Sequence, residues 1–334
     1  MDHHMASIYI KTAKPAVPYD YRAPSPPPIF IPSTGWGAPI KVVPRYDNID
    51  PASLSARDLA IITQNGTEQI AHDSAYKWTY ESRRVAQPVL DYLYLGPSTV
   101  VRDRQWLQEQ GITMILAVRD LRQASLNLMS FDELAQELGI ESRYVDASGD
   151  QELTHLFPNA VRMINDHMLR IYREQGVQTS DVKVENDAMV IDEARFRRGK
   201  VLVFCETGND RSACIVSAYL MAVLGMSAVQ AMQFINRKRF CVCMREDLKR
   251  ALRTHEDILL AQRTVHQHEL GASSSSSSSS STSGTVAEKK RAKRGIDDTM
   301  DDDGDDGMTG IDIHQSSDRD RFLGRADLTP FVDA

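Results

Sequence analysis

The segment that most constrains the fold of this chain is an apolar strand-like run, a short loop and an apolar helix-like run in direct succession. It covers residues 200–220 and has the sequence KVLVFCETGNDRSACIVSAYL. The run VLVF is typical of a strand buried on both faces, and the residues from Arg211 onward predict a helix. A loop between such a strand and helix presents backbone N–H groups to an anion. The segment therefore predicts an α/β domain with an anion-binding loop.

The residues of this loop are suited to binding and attacking a phosphate ester. Gly208 permits a backbone turn that a side chain would obstruct, and Arg211 can bind two phosphate oxygens through its planar guanidinium. Cys205 faces the phosphorus, where the helix dipole and Arg211 favour a thiolate. Ser212 can donate a hydrogen bond to that thiolate when it leaves. The predicted phosphate-binding residues, called the phosphate loop below, are Cys205, Glu206, Thr207, Gly208, Asn209, Asp210 and Arg211.

Alternating strand and helix patterns extend the predicted domain over residues 76–264. Strands are predicted at 89–96, 112–118, around 141–145 and at 201–204. A first helix is predicted through VVRDRQWLQEQ, and a second begins at a capping box of Ser130 and Glu133. A third runs from Leu153 to Gln175 and is ended by Gly176, and a fourth runs from Arg211 to Leu224. A fifth begins at a capping box of Ser227 and Gln230, and a last one has Leu248, Leu252, His255 and Leu259 on one face. This alternation predicts a mostly parallel central sheet flanked by helices.

Both ends of the chain, residues 1–75 and 265–334, are predicted to be disordered. The first is rich in proline, and its stretch PSPPPIFIP either forms a polyproline II segment that docks in an aromatic groove or remains a solvated arm. The second contains a serine tract at 273–281. A basic run at 289–294 predicts nuclear import, with pairing to the acidic run at 297–306 as the alternative. The expected localisation is cytoplasmic, nuclear or both.

Composition excludes several classes of function. The net charge of −7 argues against broad nucleic-acid binding. The longest apolar run, residues 213–226, is too short to cross a bilayer. Four cysteines, at 205, 214, 241 and 243, are too few and too clustered for a disulfide scaffold. Cys241 and Cys243 lack a second ligand pair with zinc spacing, so neither a metal nor a cofactor is predicted.

The phosphate loop resembles the Cys-x5-Arg signature of protein tyrosine and dual-specificity phosphatases, and the resemblance extends over residues 78–262. Within that superfamily the chain is similar to the serine/threonine/tyrosine-interacting pseudophosphatases, in KWTYESRR, LGPS, GIT, KRFC and the basic and acidic tail. The resemblance implies the phosphatase fold, with residues 176–199 as an inserted loop or hairpin. It also implies phosphorylated proteins or kinases as partners, together with ubiquitin-ligase components.

The chain departs from both of these patterns. It retains Cys205, which the pseudophosphatases lack, but has Phe204 where a histidine precedes the cysteine of active phosphatases. Glu206 and Asp210 add negative charge, and each carboxylate costs an anion about 1 kcal/mol at about 4 Å in water. An aspartate before Arg211 also occurs in phosphoinositide phosphatases of the myotubularin type, which is a further alternative.

Hydrolysis would also require an aspartate to protonate the leaving oxygen. The family places it after the third strand, where the chain has Asp146 and Asp150. Strand length favours Asp150 slightly, whereas the family's spacing to the following aromatic residue, Phe157, favours Asp146. The predicted catalytic residues are thus Cys205, Arg211, Ser212 and one of these aspartates. Three functions remain open: a phosphoprotein-binding regulator with weak or absent hydrolysis, an active dual-specificity phosphatase that forms a phosphocysteine, and a phosphate-independent scaffold.

Overall fold

The computed structural model describes residues 26–32, 38–126, 130–178, 183–185, 188–190 and 196–276. The strands in chain order are β1 Ile40–Val42, β2 Gln69–Ala71, β3 Gln87–Leu90, β4 Leu93–Pro97, β5 Met114–Asp120, β6 Glu141–Ala147, β7 Lys183–Glu185, β8 Ala188–Val190 and β9 Val201–Cys205. The helices are α1 Ala56–Thr63, α2 Ser98–Val101, α3 Arg104–Gln110, α4 Leu121–Ser125, α5 Asp132–Leu138, α6 Leu153–Gln178, α7 Arg211–Leu224, α8 Ala228–Lys238 and α9 Glu246–Ser276.

A five-stranded sheet in the order β3-β4-β9-β5-β6 forms the centre of the domain. β3 and β4 are antiparallel, whereas β4, β9, β5 and β6 run parallel to their neighbours. The predicted mostly parallel sheet is therefore confirmed. β9 is the middle strand, so the phosphate loop begins at the carboxyl end of the strand that has two strands on each side.

The two faces of the sheet pack against different helices. Leu202 and Phe204 point to one face, into an apolar cluster with residues of α2, α3 and α5. Val201, Val203 and Cys205 point to the other face, into a larger cluster with α6, α7, α8 and α9. Because side chains alternate along a strand, Phe204 and Cys205 lie on opposite sides of the sheet.

The prediction of disorder up to residue 75 is wrong for residues 38–75. These residues form β1, α1 and β2, and Leu59 and Ile62 of α1 are buried in the larger cluster. The backbone N–H of Asp58 donates to Ser55 Oγ at 3.1 Å, which caps the start of α1. The prolines that suggest disorder are concentrated before residue 45, whereas Ser55 and the apolar residues that follow it are a helix-start signal.

Several local predictions also need correction. Residues 89–96 form the β3–β4 hairpin rather than one strand, and two short helices replace the single helix predicted next. Ser130 does not cap α5, because its hydroxyl donates to Asp132 and the helix begins after Phe131. α6 continues past Gly176 to Gln178.

Other local predictions are confirmed. Ser227 and Gln230 form the capping box of α8, and β7 and β8 pair antiparallel within residues 176–199, as a hairpin requires. That this segment is an insertion stays a prediction.

The prediction of disorder from residue 265 onward is wrong for residues 265–276, which continue α9. Residues 289–294 and 297–306 and the rest of the serine tract, 277–281, lie outside the described residues. Among the residues that are described, no helix is long and apolar enough to cross a membrane.

Candidate phosphate-binding site

The phosphate loop joins the end of β9 to the start of α7, as predicted. Gly208 has a φ of +72°, a left-handed conformation that favours glycine. A Cβ atom at this position would lie 2.4 Å from the carbonyl carbon of Gly96 and 2.5 Å from its oxygen. Only glycine can therefore bring the loop so close to the end of β4.

Cys205 lies at the base of the loop and is 5% exposed. Its Sγ accepts hydrogen bonds from the backbone N–H of Gly208 at 3.2 Å and from the hydroxyl of Ser212 at 3.0 Å. Ser212 is fully buried on the first turn of α7. Two donors directed at one sulfur stabilise negative charge on it, either in the thiolate or when a bond to phosphorus breaks.

Arg211 is bound by carboxylates rather than left free. Its Nη2 donates to Asp120 Oδ2 at 2.9 Å, and its Nε lies 3.7 Å from Asp150 Oδ1. A hydrogen bond from the backbone N–H of Arg122 and the charge of Arg211 lower the pKa of Asp120 below its usual range. Asp120 is thus ionised near neutral pH and occupies part of the guanidinium that would bind a phosphate.

Arg245 connects two further carboxylates at the rim of the loop. It donates to Asp150 at 2.9 Å and to Asp210 Oδ2 at 3.1 Å. The other oxygen of Asp210 is buried and has no hydrogen-bond partner among the described residues. Burial raises the pKa of Asp210 above its usual range, and the negative charge of Asp150 adds to this effect.

Of the two candidate acids, only Asp150 lies at the phosphate loop. Asp146 is on β6 and forms two hydrogen bonds with Arg119, at 2.7 and 2.9 Å. The Arg119 guanidinium also stacks over the ring of Tyr144. Asp146 therefore has a structural partner away from the loop, while Asp150 contacts Arg211. The catalytic role of Asp150 stays a prediction.

The three residues that depart from the active pattern occupy different surroundings. Phe204 is fully buried and packs edge-on against Phe131, with ring centroids 5.2 Å apart. It offers no hydrogen bond to the loop. The exposed Glu206 points to the rim, where Gln123 donates to its carboxylate at 3.4 Å. Asp210 is half-buried and immediately precedes Arg211, so its charge is screened less by solvent than that of an exposed side chain.

Sequence reasoning missed Arg239, which is fully buried behind the loop. It donates to the carbonyls of Thr207 at 3.2 Å and Gly208 at 3.1 Å, and to the side chain of Asn209 at 3.2 Å. It also donates to Val85 O at 2.8 Å. Because these carbonyls face Arg239, the guanidinium holds the loop from outside.

Arg239, Arg245 and Asp120 lie far from the loop in sequence. Arg239 and Arg245 lie in the stretch RKRFCVCMRED, where charged residues flank an apolar centre, and nothing in that pattern distinguishes a buried arginine from a solvated one. Asp120 ends β5, and its proximity follows only from the sheet order. Cys241 donates to Asn209 Oδ1 at 3.0 Å, and Cys243 is exposed. Within the described part of the chain, no group of three His, Cys, Asp or Glu side chains could hold a metal ion.

Comparisons with known proteins point to one superfamily. A family model described as dual specificity phosphatase, catalytic domain, matches residues 177–258. The serine/threonine/tyrosine-interacting protein of Mus musculus is 29% identical over 195 residues, which cover 58% of this chain and 74% of that protein. The Homo sapiens protein of that name is 27% identical over the same length and coverage.

A shorter sequence match and one solved structure are also similar to parts of this chain. Dual specificity protein phosphatase 1 of Arabidopsis thaliana is 38% identical over 77 residues, covering 22% of this chain and 39% of that protein. The crystal structure of the human tyrosine phosphatase-like serine/threonine/tyrosine-interacting protein is 25% identical, covers 53% of this chain and 99% of its own, and has a TM-score of 0.40. From the loop geometry, the family match over residues 177–258 and the curated relatives, the chain is similar to the dual-specificity phosphatases and, among them, to the serine/threonine/tyrosine-interacting proteins.

Proposed function

We propose that this protein binds phosphorylated proteins through the phosphate loop and hydrolyses phosphate esters slowly or not at all. The observation that carries the proposal is the position of Arg211, which Asp120 binds at 2.9 Å and Asp150 approaches at 3.7 Å. A phosphate must displace Asp120 before both guanidinium edges are available to it. Carboxylates thus compete with the ligand for the residue that binds it.

The charges around the loop support slow turnover. Asp120, Asp150 and Asp210 face two arginines, Arg211 and Arg245. A phosphate dianion that enters this group meets three carboxylates beside the two guanidinium groups, which makes the site less favourable for an anion than the arginines alone would be. The backbone N–H groups of the loop and, once Asp120 is displaced, Arg211 can still bind a phosphate, so we expect binding to be retained where hydrolysis is slow.

A second candidate function, an active dual-specificity phosphatase, is favoured by the two hydrogen bonds to Cys205 Sγ. In that reaction the thiolate attacks phosphorus, the S–P bond forms, and the P–O bond breaks as Asp150 protonates the leaving oxygen. Water then attacks the phosphocysteine, with Asp150 accepting its proton. The S–P bond breaks, inorganic phosphate leaves, and Ser212 stabilises the departing thiolate.

Hydrolysis and binding measured on the full chain distinguish these candidates. The substrates are an aryl phosphate and a doubly phosphorylated peptide between pH 5 and 8, and the variants are Cys205→Ser and Arg211→Ala. We expect little turnover in the wild type, phosphopeptide binding that Cys205→Ser retains, and at least tenfold weaker binding in Arg211→Ala. Arg253→Ala, which removes an exposed arginine on α9, serves as the matched control.

Each other result selects a different function. Rapid turnover that Cys205→Ser abolishes would establish the active phosphatase. Binding that is equal for phosphorylated and unphosphorylated peptides and unchanged by Arg211→Ala would establish a phosphate-independent scaffold. A Phe204→His variant is less informative, because the new imidazole would be buried beside Phe131 in an apolar cluster.

The partners are part of the same proposal. The name of the similar proteins, serine/threonine/tyrosine-interacting protein, supports proteins modified at serine, threonine or tyrosine as the ligands. Kinases and ubiquitin-ligase components as partners, and nuclear import through residues 289–294, are proposals that rest on the resemblance and on the basic run. Immunoprecipitation with wild type and Arg211→Ala, and imaging of a chain with residues 289–294 replaced by alanine, would test them.

A further inference from the structure

Residues 26–32, the part of the proline-rich stretch that the structure describes, lie across a groove between α8 and α9. We call them the proline segment. Ile31 packs against the larger apolar cluster, whereas Phe30 is 81% exposed. The groove contains Met232 on α8 and Val242 in the connection to α9. The segment is therefore docked onto the domain and is not a solvated arm.

Three side chains of the domain bind the backbone of the proline segment. Arg250 donates to Pro26 O at 3.1 Å, and Gln233 donates to Pro32 O at 2.6 Å. Between them, Glu246 Oε2 accepts the backbone N–H of Ile29 at 2.9 Å. These hydrogen bonds are made to carbonyl and amide groups of an extended chain, so they do not depend on which side chains that chain carries.

The spacing of these contacts matches a polyproline II helix. Positions 26, 29 and 32 are three residues apart, and a polyproline II helix has three residues per turn, so all three lie along one edge. Such a helix has no internal hydrogen bonds, which leaves its backbone groups available. Prolines at 26–28 have no N–H, so Glu246 accepts the first amide that follows them.

Besides the three side chains that bind the backbone of the proline segment, the groove has an apolar surface. Beyond the segment it contains a cavity of about 410 Å³. Its apolar lining includes Met232, Phe240, Val242 and Met244, and Phe240 packs against Trp78 with ring centroids 6.2 Å apart. An aromatic edge, apolar floor and backbone-binding polar groups are the features by which proteins recognise proline-rich segments.

We infer that the groove between α8 and α9 is a docking site for extended proline-rich peptide segments, and that residues 26–32 occupy it as a ligand within the same chain. A partner with a proline-rich segment would bind by displacing residues 26–32. The groove lies beside the residues that reach the phosphate loop, since Cys243 N donates to Asn209 O at 3.1 Å. A partner docked there would be positioned near that loop, without contacting the phosphate itself.

A peptide-binding measurement on the full chain tests this inference. The probe is a fluorescent peptide with the sequence of residues 24–33, and its binding is followed by anisotropy. We expect Ile31→Asp to release the segment and to bind the peptide at least tenfold more tightly than the wild type, whose groove is occupied. Phe30→Asp, which adds the same charge at an exposed position, is the matched control and should behave as the wild type. Adding Gln233→Ala and Arg250→Ala to Ile31→Asp should abolish the gain.

Equally weak peptide binding by the wild type and by a folded Ile31→Asp variant would overturn the inference. A second measurement avoids dependence on that variant. Hydrogen exchange at the Ile29 amide should be slow in the wild type and faster in Glu246→Ala, and fast exchange in the wild type would exclude docking. Sedimentation distinguishes a swapped dimer: dimerisation that Ile31→Asp removes would show that the groove takes the segment of a second copy and would refute binding within one chain.

Discussion

Replacing Asp210 with asparagine should strengthen anion binding at the phosphate loop. Asp210 immediately precedes Arg211, and one of its oxygens is buried without a hydrogen-bond partner among the described residues. The other oxygen contacts Arg245 at 3.1 Å. The substitution preserves the shape of the side chain and removes its negative charge, so it tests whether charge limits the site.

The magnitude follows from the charges involved. Each pair of unit charges at about 4 Å interacts by about 1 kcal/mol in water. Sulfate carries two charges, so removing the Asp210 charge should gain about 1–2 kcal/mol of binding free energy, or roughly five- to thirtyfold in affinity. The Arg245 side chain is 56% exposed. Losing its ion pair should therefore lower the free energy of unfolding by less than about 1 kcal/mol.

The pH dependence gives this prediction a second readout. Because burial raises the pKa of Asp210, acid neutralises it at a higher pH than an ordinary aspartate. Sulfate affinity in the wild type should therefore rise as pH falls from 8 toward 5, while Asp210→Asn should show a weaker rise. Sulfate is used because it stays a dianion over this range.

Isothermal titration calorimetry with sulfate at fixed ionic strength measures both effects. Asp257→Asn, which removes one exposed carboxylate from α9, controls for the change in net charge. Equal sulfate affinities and equal pH profiles for wild type, Asp210→Asn and Asp257→Asn would refute the argument that Asp210 opposes anion binding.

Three further predictions concern catalysis and stability. If the chain hydrolyses an aryl phosphate, Asp150→Asn should lower kcat at least tenfold, whereas Asp146→Asn should leave kcat unchanged. Asp146→Asn should instead lower the free energy of unfolding by about 1–3 kcal/mol in a denaturant titration, because the buried Arg119 loses its carboxylate partner. The reverse pattern would exchange the roles of the two aspartates. Gly208→Ala should cost more than about 2 kcal/mol, because its Cβ would overlap the β4 backbone at a φ of +72°; an unchanged melting temperature would contradict this. Burial lowers the pKa of His255 from 6.5 to about 4, so the unfolded chain takes up this proton at a higher pH than the folded chain does. The free energy of unfolding should therefore fall by up to about 3 kcal/mol as the pH is lowered from about 6.5 to about 4. His255→Leu should reduce this pH dependence in thermal melts.

The fold could be predicted from sequence wherever periodicity and strand burial agree. The run at 201–204 and the helix from Arg211 to Leu224 are examples, because both are set by continuous apolar residues. The β3–β4 hairpin was missed because Asp91 and Tyr92 lack the glycine or asparagine that usually marks a tight turn. The packing of α1 could not be predicted from the proline content, because the prolines precede a short amphipathic stretch that forms a helix.

The phosphate loop could be predicted because its residues are consecutive. Its surroundings could not, because the partners come from separate elements. Asp120 reaches Arg211 from the end of β5, and Arg245 reaches Asp150 from the residue before α9. Such contacts depend on strand order and helix placement, which one sequence does not reveal. The sequence could not distinguish Asp146 from Asp150 for the same reason, because the difference between them depends on the position of Arg119.

The buried guanidinium of Arg239 has a consequence for when the site exists during folding. It joins the carbonyls of Thr207 and Gly208 to that of Val85, so the loop is held by parts of the chain far apart in sequence. A partly folded chain would lack these links and would bind oxyanions weakly. Oxyanion binding should then be coupled to complete folding, and a bound oxyanion at concentration c would stabilise the native state by RT ln(1 + c/Kd), which grows with the logarithm of its concentration.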